Sequence, residues 1–339
     1  MKKQRIVYID YLRCFSCLAV VLIHIFTTAI TDFPNHTQVE EMISRTVINI
    51  LHFAVPIFFM ITGYLFLSKD NDYDIPTFIK KYVLKYLVAI FIFGFVFAII
   101  EEIFNKNYSI MMPITALINT IQGKTWAHMW YLYCLVGVML LIPVIKVLLK
   151  VNKKYIKYIL IILLISSIVI PFIENVFEIR IGFDLIIKSP YLAYVIIGYY
   201  LGSNDNKKNK FYLFMFIISI VIICTSQILP IVFDNSFVDK LTILGNYDSP
   251  IILFLSISIF KLFMNIKNER KIINYISSES YGIYLIHMFW INIAYKFIKF
   301  NIYGNMFFIK IVLIFTIVFI LSFVSTKFIK LIPFLKKIV

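Results

Sequence analysis

The sequence is poor in charged residues. Asp, Glu, Lys and Arg make up only 15% of the 339 residues, whereas 61% are hydrophobic and the mean hydropathy is +0.89. Soluble domains carry charge on about a quarter of their residues, so this composition excludes a soluble globular protein. Apolar runs long enough to cross a bilayer recur along the whole chain, and no linker or low-complexity tract separates them. We therefore expect an all-α, polytopic transmembrane helical bundle in which residues 1–339 form one integral-membrane domain.

The usual sequence signals of nucleotide, metal or hydrolase sites are also missing. The chain has no P-loop, no Gly-rich dinucleotide turn and no Gly-x-Ser-x-Gly elbow. No spaced set of His, Asp and Glu resembles a metal site, so we predict no metal. The four cysteines, Cys14, Cys17, Cys134 and Cys224, all lie in apolar segments, which indicates packing rather than a disulfide framework.

The net charge of +15 raises the question of an anionic partner. The lysines cluster in short breaks between apolar runs, so they indicate membrane topology and not nucleic-acid binding. With about 20 residues per crossing, the sequence predicts about ten spans, near 11–30, 45–67, 86–104, 130–149, 158–174, 187–202, 211–230, 248–264, 277–298 and 307–328. The span at 187–202 has the weakest signal, because it is short and carries Lys188 and Pro190 at its start.

The basic residues also predict the orientation of these spans. If the N-terminus is cytoplasmic, most of the 33 Lys and Arg residues fall in alternate segments on the cytoplasmic side. The weak span at 187–202 is needed to keep this alternation. Ten spans with both termini in the cytoplasm form the self-consistent solution.

The first apolar run keeps two residues that are costly inside a bilayer, Arg13 and His24. They are eleven positions apart, within about 20° of three full helical turns, so both project from one face, roughly 16 Å apart along the axis. Asp10, one turn before Arg13, can pair with it and fix its direction. The alternative is that Arg13 is an interfacial anchor and His24 a hydrogen-bonding partner of a neighbouring helix.

At this point the chain resembles a known family. The stretch IDYLRCFSCLAVVLIHIF is similar to the first-span signature of the integral-membrane acyltransferase family 3, an Arg followed after ten residues by a His. Four further stretches resemble family segments in the same order along the chain: VPIFFMITGYLFL (55–67), HMWYLYCLVGVMLLIPVI (128–145), GNYDSPIILFLSISIF (245–260) and SSESYGIYLIHMFW (277–290).

The resemblance implies transfer of an acyl group, usually acetyl, from cytoplasmic acyl-CoA to a hydroxyl of an envelope glycan or a lipid-linked sugar. It implies a multi-pass protein of the bacterial plasma membrane, with Arg13 and His24 as the essential pair and no permanently bound cofactor. The chemistry of the two side chains agrees. A neutral imidazole can take the proton of the acceptor hydroxyl, whereas Arg13 stays charged and suits a phosphate or the anion that develops on the thioester oxygen.

One segment departs from the family pattern. Many members carry paired arginines in the loop after the second span, where CoA phosphates would bind. Here the loop has Lys80, Lys81 and Lys85, which supply charge but not the bidentate geometry of arginine. Donor binding and a positive-inside topology signal explain these lysines equally well.

The remaining candidates are secondary. His128 and Tyr131, one turn apart at the outer start of the fourth span, are candidates for lining the acceptor side. Glu279, Tyr284 and His287 are assigned to the cytoplasmic first turns of the ninth span, where packing is the favoured interpretation. A transporter or flippase of a glycan intermediate, or a membrane sensory domain, is the competing kind of protein. The sequence predicts a lipid bilayer environment but neither the acceptor, the acyl chain nor the oligomeric state.

Overall fold

The computed structural model describes residues 5–68, 73–183, 185–203, 209–233 and 235–339, and across these residues it contains helices and no strands. In chain order the helices are α1 (Val7–Asp32), α2 (Gln38–Leu67), α3 (Ile75–Phe104), α4 (Met112–Ile121), α5 (Ala127–Val151), α6 (Lys153–Phe177), α7 (Pro190–Gly202), α8 (Asn209–Val232), α9 (Ser236–Phe263), α10 (Lys271–Asn292), α11 (Phe307–Ile329) and α12 (Pro333–Lys336). A turn at residues 52–53 interrupts α2, and residues 246–249 interrupt α9.

Eight of these helices are long and apolar enough to cross a bilayer: α1, α2, α3, α5, α6, α8, α9 and α11. Each coincides with one of the ten predicted spans. The other two predicted spans are also helical but differ in character. α7 has only 13 residues, or about 20 Å of helix, and α10 carries several buried polar side chains, including Glu279, His287 and Asn292. The number of ten spans and the cytoplasmic position of both termini stay predictions. Five of the lysines on which these predictions depend lie outside the described residues: Lys2, Lys3, Lys69, Lys207 and Lys208.

Helix α1 occupies the centre of the bundle, where it packs against α2, α9, α10 and α11. α10 lies between α1 and α11, so its polar side chains face protein rather than lipid. This placement explains why a helix with a polar face can lie inside an apolar bundle. It also brings the polar residues of α1 and α10 onto facing surfaces.

The short helix α7 packs so closely on α2 that two glycines are required at the contact. A Cβ atom on Gly63 would lie 1.8 Å from the carbonyl oxygen of Val195, and one on Gly198 would lie 2.1 Å from that of Met60. Small residues allow helix backbones to approach in this way in membranes. All residues of α7 from Leu192 to Tyr199 are buried, so α7 is an internal element of the bundle.

Two buried lysines cap the helices that form this close pair. The Lys146 Nζ donates a hydrogen bond to the carbonyl oxygen of Leu67 at 2.7 Å, at the end of α2. The Lys261 Nζ donates to the carbonyl oxygen of Leu201 at 3.0 Å, at the end of α7. A cation at a helix C-terminus satisfies carbonyls that have no partner in the helix. These lysines, predicted only as topology signals, therefore also stabilise the ends of α2 and α7.

Candidate active site

Three histidines from distant parts of the chain meet inside the bundle. α1 contributes His24, the 3₁₀ turn that begins α5 contributes His128, and α10 contributes His287. The ring centroids of His24 and His287 are 5.1 Å apart, those of His128 and His287 are 5.2 Å apart, and those of His24 and His128 are 6.2 Å apart. Among the described residues, no group of three or more His, Cys, Asp or Glu side chains is arranged to hold a metal ion. The cluster therefore has to be understood through its hydrogen bonds.

The backbone fixes the tautomers of His287 and His128. The Nδ1 of His287 lies 2.7 Å from the carbonyl oxygen of Tyr284, and the Nε2 of His128 lies 3.3 Å from that of Leu285. Because a carbonyl oxygen only accepts, each of these nitrogens carries the proton of a neutral ring. The other nitrogen of each ring is then a lone-pair acceptor. Both acceptors, Nε2 of His287 and Nδ1 of His128, are buried and have no hydrogen-bond partner among the described residues.

His24 differs from its two neighbours because its ring has no hydrogen bond to the described residues and is partly exposed to an internal cavity. The aromatic rings of Trp130, Tyr131, Tyr247 and Tyr284 line this cavity together with His24 and His128. Its volume is about 20 Å³, enough for roughly one water molecule. A ligand larger than a water molecule can reach His24 through this cavity only if these rings move apart.

Arg13 lies on the same helix, toward its N-terminus, and the described residues give its guanidinium neither a hydrogen bond nor an ion pair. The predicted pairing of Arg13 with Asp10 is wrong. Asp10 instead accepts hydrogen bonds from Arg5 Nε at 2.7 Å and from the Ser277 hydroxyl at 2.5 Å. Arg5 precedes α1 and folds back onto its first turn, while Ser277 reaches across from α10, so the carboxylate of Asp10 is already engaged. The guanidinium of Arg13 is partly buried, with Asp10, Tyr86 and Tyr131 among its electrostatic neighbours.

A row of tyrosines connects the region of Arg13 with the histidine cluster. The ring centroids are 5.8 Å apart for Tyr86 and Tyr281, 6.4 Å for Tyr281 and Tyr284, and 5.4 Å for Tyr284 and Tyr131. At the far end, the Lys85 Nζ lies 5.4 Å from the ring centroid of Tyr86 and 5.0 Å from that of Tyr281. At the near end, the Tyr284 hydroxyl donates to the carbonyl oxygen of His128 at 2.5 Å. The row thus extends from Lys85, at the same end of the bundle as Arg13, to the cavity of His24.

The three lysines proposed for donor binding are not equivalent. Lys85 is partly buried against the tyrosine row, whereas Lys80 and Lys81 are exposed on the preceding π-helical turn. Lys81 lies over the ring of Tyr82, with its Nζ 5.2 Å from the centroid. Of the three lysines, only Lys85 therefore contacts the tyrosine row.

The residues of α10 separate into two groups, contrary to their joint assignment to the first turns of the ninth span. α10 begins at Lys271, so His287 lies roughly 24 Å along the helix, at the level of His24. Glu279 stays near the first turns, where its buried carboxylate forms ion pairs with Lys327 at 2.7 Å and Lys330 at 2.8 Å. These ion pairs link α10 to the end of α11, and Glu279 lies apart from the histidine cluster.

The sequence interpretation did not identify Tyr86 and Tyr281, nor the convergence of the three histidines. A signal for part of this exists in the spacing of Tyr281, Tyr284 and His287, which follow one another at intervals of three residues. Such a spacing keeps side chains on neighbouring positions of one helix surface. The contribution of Tyr86 has no comparable signal, because it depends on how α3 packs against α10.

Comparison with known proteins gives one match. The family model for the acyltransferase domain of family 3 matches residues 6–327, which is nearly the whole chain. Neither the search of curated proteins nor the search of solved structures found a match. The matched region includes Arg13, all three histidines and the tyrosine row.

Proposed function

Because this chain belongs to acyltransferase family 3, we propose that it transfers an acyl group, most simply acetyl, from cytoplasmic acyl-CoA to a hydroxyl of a cell-envelope polysaccharide or a lipid-linked sugar. The membrane is the bacterial plasma membrane in this proposal. The coarser statement, that the protein is a membrane acyltransferase, follows from the family match and from its eight candidate membrane spans. The more specific statement names the donor and the acceptor. The observation that supports it is the tyrosine row between Arg13 and His24.

The reaction is a displacement at the thioester carbonyl carbon. His24 removes the proton from the acceptor hydroxyl as its oxygen attacks that carbon, and the carbon–sulfur bond breaks. CoA leaves as the thiolate, the acyl group stays on the acceptor oxygen as an ester, and the proton is held by the imidazole of His24. General-base catalysis of this kind contributes about 10²–10⁴-fold to the rate.

Distance favours one of the two roles considered for Arg13. Arg13 and His24 are roughly 16 Å apart along α1, too far for Arg13 to stabilise an oxyanion that forms beside His24. A guanidinium with no hydrogen bond or ion pair to the described residues fits the phosphates of CoA, which it can bind in a bidentate manner. The pantetheine arm would then extend along the tyrosine row, with Lys85 adding positive charge at the cytoplasmic end.

His287 and His128 act on His24 in this proposal. Each is held to a backbone carbonyl through one nitrogen and retains a lone pair on the other. Either lone pair can accept the N–H of His24, which would leave the other nitrogen of His24 unprotonated and facing the cavity. His287 and His128 thus orient the imidazole of His24, which is the proposed base.

The test uses cells with and without the protein, followed by mass analysis of their envelope glycans, and purified protein in lipid nanodiscs with radiolabelled acetyl-CoA. We expect an acetyl ester on the glycan only when the protein is present, and loss of that ester in His24→Gln. Unchanged glycan acylation after removal of the protein would reject a glycan acceptor. Absence of free CoA release by the purified protein with any acceptor would reject acyl-CoA as donor.

A further inference from the structure

A second, much larger cavity lies beside the histidine cluster, at the end of the bundle away from Arg13. Its volume is about 610 Å³, within the range of about 300–1,000 Å³ that is usual for small-molecule sites. It is bounded by α1, α2, α8 and the segment before the second half of α9. Thr27, Arg45 and Asn246 are exposed residues of its lining, so the cavity is open to the surface of the bundle.

The polar lining of this cavity is almost entirely uncharged. Its uncharged groups are the amides of Asn49, Gln227 and Asn246, the hydroxyls of Thr27, Thr31 and Thr242, and the imidazole of His52. Arg45 is the cation of the lining, and Glu41 neutralises it through contacts of 2.7 Å and 2.8 Å. Groups that both donate and accept hydrogen bonds suit a ligand with many hydroxyls. Because the charge of Arg45 is neutralised by Glu41, the lining has no electrostatic attraction for an anionic ligand.

The cavity continues the face of α1 that carries His24. Thr27 and Thr31 follow His24 after three and seven positions, which places them on the same side of the helix. The partition between the large cavity and that of His24 consists of two rings in contact, with their planes tilted by 39°. The ring of His52 lines the large cavity, that of Tyr247 lines the cavity of His24, and their centroids are 4.2 Å apart.

Contacts from three directions hold this partition in place. The Nδ1 of His52 donates to the carbonyl oxygen of Gly245 at 2.6 Å, and the carbonyl oxygen of Tyr247 accepts from the Tyr194 hydroxyl at 3.1 Å. Gly245 lies against Asn49 so tightly that a Cβ atom on it would be 2.3 Å from the Asn49 Cγ. With Nδ1 protonated, the Nε2 of His52 is an acceptor. The segment 245–247 therefore joins the amide lining to the wall of the histidine cavity.

We propose that the cavity lined by Asn49, Gln227 and Asn246 is the acceptor subsite, that it binds an uncharged sugar unit, and that displacement of the His52–Tyr247 pair brings one sugar hydroxyl to His24. This inference rests on the proposed function, and it specifies the substrate class as neutral rather than anionic sugar. The sugar unit can come from a soluble glycan or from a lipid-linked one, because both present the same hydroxyls.

The first experiment measures specificity with the full chain in nanodiscs and acetyl-CoA as donor. The probes are methyl glycosides of glucose, galactose and N-acetylglucosamine, the methyl glycoside of glucuronic acid, and a polyprenyl-phosphate-linked glucose. We expect acetylation of neutral sugars, soluble or lipid-linked, with kcat/KM at least about tenfold above that of the glucuronide, the ratio expected when one charge is desolvated without a partner. Equal or better use of the glucuronide would overturn the proposal.

The second experiment changes the lining. Asn246→Ala and Asn49→Ala should each raise the KM for the best neutral probe about tenfold, as expected for loss of one or two hydrogen bonds, with the KM for acetyl-CoA unchanged. Thr27→Trp should block the cavity and raise the sugar KM further. Asn35→Ala, on an exposed loop residue, and Thr316→Trp, at an exposed position of α11, are the matched controls and should alter neither constant.

The outcomes separate this inference from the proposed function. Asn246 lies in an exposed turn, so Asn246→Ala tests the site even if Asn49→Ala impairs folding, which melting curves of each variant report. Sugar acetylation by the wild type with an unchanged sugar KM in Asn246→Ala and Thr27→Trp would reject the acceptor subsite but keep the reaction. No acetyl transfer to any probe or glycan would reject both.

Discussion

The imidazole of His24 on α1 lies 5.1 Å from that of His287 on α10, centroid to centroid, and the two rings have different hydrogen-bonding status. His287 is tied to the carbonyl of Tyr284, whereas the described residues leave His24 unbonded beside a cavity. In the proposed mechanism, His287 is the ring that is held in place and orients the base, and His24 is the ring that reacts. The first predictions separate these roles.

His24→Gln should lower the rate of acyl transfer by about 10²–10⁴-fold, the contribution of a general base. Glutamine keeps a hydrogen-bonding side chain but cannot take a proton, so a histidine with only a structural role would tolerate it. Turnover of acetyl-CoA by purified protein measures the effect. His36→Gln is the matched control, because His36 contacts Glu41 and Tyr303 away from the cluster and should retain activity. Near-normal transfer in His24→Gln would exclude the base.

His287→Phe should lower kcat while leaving the KM for acetyl-CoA unchanged. Phenylalanine fills the site but removes the lone pair that we assign to orienting His24, and it does not touch the region of Arg13. Steady-state kinetics over a range of donor concentrations separates the two constants. A rise in the donor KM without a fall in kcat would contradict this role and would place His287 in the donor path.

Arg13→Lys should raise the KM for acetyl-CoA at least about tenfold, because lysine keeps the charge but loses the planar, bidentate fork. The chain supplies a matched control in Arg5, which forms an ion pair with Asp10 that lysine can also form. Arg5→Lys should therefore leave the constant nearly unchanged. If Arg13 is an interfacial anchor only, the two variants will behave alike.

The helical architecture could be predicted, and Arg13 and His24 could be named as candidates, because both inferences depend on local rules. Apolar length indicates spans, and the angle per residue places Arg13 and His24 on one face. The partners of these residues could not be predicted in the same way. Arg5 competes with Arg13 for Asp10 by folding back from outside the helix. His128 meets His24 only because α10 packs on α1 and the turn that begins α5 reaches both helices.

Two further features depend on tertiary contacts and could not be predicted from charge and length. Lys146 and Lys261 have the sequence pattern of topology signals, yet both are buried and cap helix ends. α7 has the composition of a span but only 13 residues, and glycine contacts with α2 surround it with protein. Neither feature is encoded in a window of about 20 residues, which is the scale on which hydropathy reports.

Lys85→Gln should raise the KM for acetyl-CoA more than Lys80→Gln does. Lys85 lies over the rings of Tyr86 and Tyr281 on the proposed path of the donor, whereas Lys80 is exposed. The difference should shrink as salt is added, since the contact between Lys85 and CoA phosphates is partly solvated. An unchanged KM for acetyl-CoA in both variants, with normal membrane insertion, would leave Lys80, Lys81 and Lys85 as topology signals only.

Gly63→Ala should destabilise the protein strongly, although alanine is intrinsically better than glycine in a helix by about 1 kcal/mol. The new Cβ would lie 1.8 Å from the carbonyl oxygen of Val195, and because that atom belongs to the backbone of α7, the whole helix would have to move. Overpacking of this kind costs about 1–3 kcal/mol or more.

Gly137→Ala is the control, since a Cβ at that position of α5 meets no atom within 4 Å and the substitution should keep or slightly raise stability. Thermal unfolding in detergent compares the two variants with the wild type, and we expect a melting temperature lower by several degrees only for Gly63→Ala. Equal melting temperatures for both variants would show that α7 does not pack on α2 this closely. The hydrogen bond from the Tyr194 hydroxyl of α7 to the carbonyl oxygen of Tyr247 would then have to be re-examined.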